Sequence, residues 1–136
     1  MDKNFESIKI GHTASFEKLI TEKDVAKFAE VSGDCNPLHL NKKYAAKTKF
    51  KGRIVHGMFL GALVSRLIGM QLPGKRALLI KARLEFKKPA RVGDKILVKG
   101  RVIHHSPALK LLEIAVEIRK NREILVTGAV HTQVMD

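Results

Sequence analysis

The sequence predicts an α+β fold, a single domain in which a curved antiparallel β-sheet wraps around one long central α-helix. Three observations carry this. Between Gly57 and Met70 the only polar side chains are Ser65 and Arg66, and a helix that is apolar nearly all the way round has no face to offer water. From Arg76 onward the apolar period changes from 3.6 to 2, in successive runs with one apolar face each. No helical pattern separates those runs, so parallel pairing, which needs crossover helices, is not expected. A one-sided sheet and an apolar helix bury each other when the sheet curls round the helix.

Taken in order, Phe5–Ile10 and Thr13–Leu19 read as weak, partly alternating strands. Thr21-Glu-Lys-Asp24 has the form of a capping box, with Thr21 as the N-cap. Val25, Phe28 and Ala29 follow at helical spacing, which predicts a helix over Glu22–Val31. Gly33 suits the left-handed turn after it. After the loop Asp34–Pro37, a short helix is expected over Asn41–Ala46, and then an exposed, mobile loop over Lys47–Ile54. Gly57–Met70 is the central helix, stopped by Leu72-Pro73-Gly74-Lys75. It rises about 21 Å, short of the ~30 Å hydrocarbon core of a bilayer, so protein is expected to enclose it.

Four strands follow. Their apolar faces are Ile80, Ala82, Leu84 and Phe86, then Ile96, Val98, Gly100 and Val102, then Leu112, Ile114, Val116 and Ile118. The last is Ile124, Val126, Gly128, Val130, Thr132 and Val134. Pro89–Asp94, His105–Pro107 and Asn121-Arg122 connect them.

A chain of 136 residues suits one domain, residues 1–136, and its 45% hydrophobic and 29% charged content is that of a globular protein. The start, MDKNFESIKIGH, lacks the apolar centre of a signal peptide, and nothing later is long enough to span a membrane. Cys35 is the single cysteine, which rules out an intramolecular disulfide and points to a reducing compartment, cytoplasm or organelle matrix.

The net charge of +13 is the compositional anomaly. Nucleic acid, an anionic cofactor, an acidic protein or mere solubility could each account for it. Nucleic acid is not expected, because zinc-type Cys/His pairs are missing and only 5% of residues are aromatic. Lys42, Lys43, Lys47, Lys49, Lys51 and Arg53 form a run without one acid among them.

Two stretches carry candidate chemistry. In Ser32-Gly-Asp-Cys-Asn-Pro-Leu-His39, Asp34 and His39 flank a proline-containing loop that can bring their side chains to a common point. A carboxylate and an imidazole sharing one water can move protons both ways near neutral pH. Residue by residue, a plainer reading stands beside this one: Asp34 and Asn36 cap the next helix, and His39 is a satisfied core histidine. The other stretch is Val55-His56-Gly57, which opens the central helix where unpaired N–H groups favour an anion or a polarised carbonyl. Cys35 reads as a small packing residue, and His104, His105 and His131 as surface or strand histidines. No Cys/His/carboxylate set has metal-ligand spacing, so no metal is expected.

SGDCNPLH followed by RIVHGM resembles the MaoC-like (R)-specific enoyl-CoA hydratases. LPG after the helix and FKKPARVGD between the first two long strands agree, and the resemblance runs from about Thr13 to Val134. It implies a hotdog fold assembled as a homodimer or larger. It implies Asp34 and His39 as the catalytic dyad, with Asn36 ordering the site and the Gly57 N–H receiving the thioester carbonyl. Ser65 falls where close relatives have a serine proposed to hold the aspartate, though it lies roughly 12 Å along the helix from Gly57.

Hydration of a 2-enoyl thioester adds water at C3 and a proton at C2 while charge builds on the thioester oxygen. Asp34 is expected as base, His39 as acid, and Gly57 with the helix dipole as stabiliser of that oxygen. No cofactor is needed. His56, Lys47, Lys49, Lys51 and Arg53 are expected on the substrate-binding side. Two other readings stay open: dehydration of (R)-3-hydroxyacyl groups on acyl carrier protein, whose acidic surface would suit the basic charge, and a non-catalytic module that binds acyl thioesters.

Overall fold

The structure is a computed structural model that describes residues 3–136. Met1 and Asp2, which belong to the N-terminal stretch and to the domain range read above, lie outside the described residues. In chain order the elements are β1 (Thr13–Leu19), α1 (Glu22–Ser32), α2 (Pro37–Leu40), α3 (Lys42–Ala46), α4 (Gly57–Met70), β2 (Ala77–Phe86), β3 (Lys95–Ser106), β4 (Leu111–Lys120) and β5 (Glu123–Val134). The five strands form one antiparallel sheet in the order β1-β3-β4-β5-β2. β3, β4 and β5 make a meander, while β1 and β2 occupy the two edges.

The sheet lays Val98, Val102, Ile114, Val116, Ile118, Val126 and Val130 into one core with Leu60, Leu63, Leu67 and Ile68 of α4. Gly100 sets how closely helix and sheet approach. A Cβ there would stand 2.8 Å from the end of the Leu67 side chain and 3.1 Å from that of Ile114, so a larger residue would force these core side chains to shift. The capping box at Thr21 forms as expected, with Asp24 N–H donating to Thr21 Oγ1 and Thr21 N–H to Asp24 Oδ2. Gly33 ends α1 in the left-handed region at φ 76°.

Three expectations need correction. Phe5–Ile10 is not a strand: Asn4 accepts from Ser7 N–H and folds Phe5–Ser7 into a 3₁₀ turn, and Phe5 stacks on His105. The loop expected over Asp34–Pro37 runs directly into a helix that was not expected, α2, which Asn36 caps, while the short helix expected over Asn41–Ala46 is present as α3, capped by Asn41. The third correction concerns burial. α4 is enclosed on one side only, and Met58 and Met70 are 61% and 65% exposed on the other. Likewise β2 buries little of its expected face, for Ile80 and Phe86 are exposed and Leu84 only half-buried. One sheet covers one side of a helix, and β2 lies at the edge where that cover ends.

Candidate functional site

The segment after α1 is held by its own side chains. Ser32 Oγ donates to the Phe28 carbonyl at 2.6 Å and accepts from Asp34 N–H at 3.1 Å. Asn36 N–H donates to Asp34 Oδ1, and Asn36 Oδ1 caps α2 by accepting from Leu38 N–H at 2.9 Å. The capping reading of Asn36 is therefore correct, and it is also what sets the direction of α2 and hence of His39.

His39 Nδ1 lies 2.8 Å from the Ile54 carbonyl oxygen. A carbonyl only accepts, so Nδ1 carries the proton and Nε2 is the nitrogen that can exchange one. Ile54 is itself held, since its N–H donates to Leu38 and the next residue's, Val55, donates to Ala90. His56 is 1% exposed, with Nε2 donating to the Asp34 backbone carbonyl at 2.8 Å. Its ring stacks on His39 with centroids 3.9 Å apart, and Phe28 packs beside it at 4.9 Å. Asp34, His39 and His56 each bring one donor atom within 4.8 Å of the other two. Spacing along the chain did not reveal this three-residue cluster, because His56 arrives from the far end of the Lys47–Ile54 loop. With one nitrogen of each imidazole engaged by a carbonyl, the group facing solvent is a carboxylate beside an imidazole lone pair, an arrangement suited to passing protons through a shared water.

Gly57 opens α4 immediately after His56, so the first-turn N–H groups, which have no intrahelical acceptor, lie next to the pair. A Cβ at Gly57 would sit 3.4 Å from the Phe86 ring, which covers this helix end. Here a cavity of about 330 Å³ opens, lined by His39, Phe50, Ile54, Gly57, Leu60 and Phe86, with Lys87 and Lys88 on its rim. Phe50, Phe86, Lys87 and Lys88 were missed by sequence reasoning. For the last three the available signal was FKKPARVGD, whose Phe86 ends β2 and whose Lys87 and Lys88 follow it along the cavity.

The basic run divides. Lys47, Lys49 and Lys51 are exposed on the loop. Arg53 is half-buried and engaged by Glu22 of α1, and this hydrogen bond holds the Glu22 carboxyl below its ordinary range. The loop is tied down rather than free: Thr48 Oγ1 donates to the Ala45 carbonyl, and Arg91 donates to the carbonyls of Phe50 and Arg53. Ser65 lies away from the dyad, exposed on the wall of a second cavity of about 340 Å³ with Phe28, Met58, Gly61, Leu79 and Leu84. Cys35 is a free, exposed thiol whose Sγ lies 4.0 Å from the Ala29 carbonyl. No helix among the described residues is long and apolar enough to cross a membrane.

Residues 6–121 match the family model described as MaoC like domain. A protein named 3-hydroxybutyryl-CoA dehydratase from Methylorubrum extorquens is 37% identical over 124 residues, covering 91% of this chain and 79% of that one. One named (R)-specific enoyl-CoA hydratase from Rhodospirillum rubrum is 37% identical over 124 residues, covering 91% and 86%. Among solved structures, the unliganded R-hydratase PhaJ1 from Pseudomonas aeruginosa superposes with a TM-score of 0.92 at 34% identity, covering 98% of this chain and 86% of that one.

Proposed function

The chain belongs to the MaoC-like domain family, whose hotdog fold it shares, and from that premise we propose that it is an (R)-specific enoyl-CoA hydratase. It is a hydro-lyase that adds water reversibly to trans-2-enoyl thioesters to give (R)-3-hydroxyacyl thioesters. The observation that carries the reading is the meeting of Asp34 and His39 beside the Gly57 end of α4, at the mouth of an apolar cavity.

In this reading the thioester carbonyl accepts from the Gly57 N–H, and the acyl chain enters the cavity past Phe86 and Leu60. A water held between the Asp34 carboxylate and His39 Nε2 faces C3. As its oxygen bonds to C3, one of its protons passes to Asp34. The electron pair of the double bond moves toward the thioester oxygen, where the helix N-terminus stabilises it. C2 then takes the Nε2 proton of His39. Because Nδ1–H is engaged by Ile54, His39 acts as the acid only in its imidazolium form, and neutral His39 takes the proton in the reverse, dehydrating direction. Proton exchange between Asp34 and His39 through water resets the pair.

Lys87 and Lys88 of the cavity lining, with Lys47, Lys49 and Lys51 exposed on the loop that contributes Phe50 to it, would supply positive charge to the phosphates of the CoA arm. His56 contributes from behind the dyad, and Ser65 lines the neighbouring apolar wall. A homodimer is part of the proposal. The open side of α4 and the exposed edge strand β2 offer Met58, Leu78, Leu79 and Ile80 to a second copy.

The test is hydration of crotonyl-CoA and of a longer enoyl-CoA, with chiral analysis of the product and the matching acyl carrier protein thioester as a parallel arm. An (R)-3-hydroxyacyl-CoA product supports the reading. A product of (S) configuration, or turnover confined to the carrier-protein thioester, would replace it.

A further inference from the structure

His56 is the one buried polar side chain at the site, and its two nitrogens have different fates. Nε2 donates to the Asp34 backbone carbonyl at 2.8 Å, while Nδ1 is buried without a partner among the described residues. A buried, unsatisfied ring nitrogen is destabilising relative to an apolar ring of similar size. The unpartnered Nδ1 therefore gives no reason of stability for a histidine, because a phenylalanine would fill the same space between Phe28 and His39.

Its contacts with the dyad offer a better reason. The Nε2–H bond fixes the backbone of the residue that carries the Asp34 carboxylate. The ring, stacked at 3.9 Å and 29°, limits the face of His39 to one orientation. The same residue is the N-cap of α4, so its backbone leads directly into Gly57. It thus touches all three parts of the site, Asp34, His39 and the helix N-terminus, without reaching the cavity itself: it is 1% exposed and is not among the lining residues.

We infer that His56 is a positioning residue, held as the neutral Nε2–H tautomer, which sets the spacing between the Asp34 carboxylate and His39. This rests on the hydratase reading of the same pair. Its energetic scale follows from geometry: a displacement of about 1 Å at reacting groups costs on the order of 10²-fold in rate.

Two substitutions separate the ring from the donor. His56→Phe keeps the stack and removes the hydrogen bond, while His56→Gln keeps an N–H at the position of Nε2 and removes the ring. With crotonyl-CoA, His56→Phe should lower kcat by about 10²-fold, with KM within about twofold and the fold retained by circular dichroism. His56→Gln should recover most of that kcat. Wild-type kcat in His56→Phe would overturn the inference while leaving the hydratase reading intact, as would a Gln variant no better than Phe. A readout independent of turnover is the imidazole ¹⁵N spectrum of the wild-type protein. It should show His56 protonated at Nε2 only, and protonation at Nδ1 would overturn the assignment even if no enoyl thioester were hydrated.

Discussion

Arg91 Nη2 donates to the Phe50 carbonyl at 2.8 Å, across the gap between the β2–β3 connection and the basic loop. Nη1 reaches the Arg53 carbonyl at 3.3 Å, so one guanidinium brackets the segment that ends at Ile54. Arg91 is itself anchored, since its N–H donates to buried Asp94, whose other oxygen pairs with Lys120. The loop wall of the cavity, and the carbonyl that engages His39, are therefore positioned from a residue remote in sequence.

Arg91→Gln should accordingly raise KM by about tenfold, the scale of losing a charged hydrogen-bond donor, and expose the Lys47–Arg53 segment to trypsin at doses that spare the wild type. Kinetics and cleavage matching wild type would show that the loop holds itself.

Asp34→Asn and His39→Ala should each lower kcat by about 10²–10⁴-fold, the range for loss of a proton carrier, with folding and thioester binding retained. The measurement is steady-state hydration alongside circular dichroism. A variant at full kcat would remove that residue from the dyad.

Replacing Lys47, Lys49 and Lys51 together with Gln should raise KM for enoyl-CoA and flatten its salt dependence, with kcat nearly unchanged. All three are exposed, so their attraction for phosphate fades as the Debye length falls from about 10 Å at 0.1 M salt to about 3 Å at 1 M. Arg53→Gln should move KM less, because Glu22 already engages its guanidinium. An unchanged salt response in the triple variant would assign those lysines to solubility.

Leu79→Lys combined with Ile80→Lys should shift the protein toward monomer in sedimentation at micromolar concentration. These residues sit on the exposed edge strand, at 44% and 54% exposure, and like charges brought together across a shared edge repel. A wild type that sediments as a monomer would sink the proposed homodimer.

Local chemistry made much of the chain legible. The capping box at Thr21, the left-handed Gly33, the two-residue turn at Asn121-Arg122 and the period change after α4 each depend on neighbours within a few residues, and each appears where its residues place it. Asp34 and His39 were legible for the same reason, since a short proline-containing loop joins them. Burial was another matter. The composition of Gly57–Met70 and the alternation in β2 say that those surfaces are apolar, and that much the sequence determines alone. Which side of α4 meets the sheet, and that β2 falls at an edge with Ile80 exposed, depend on strand order. Strand order is a property of long-range pairing that no local period encodes. The same holds for Arg91 on the Phe50 carbonyl and for His56 behind His39: a hydrogen bond to a backbone carbonyl needs no particular residue type at the acceptor, so it leaves no mark in the sequence at that position. Only the tertiary structure could bring those partners together.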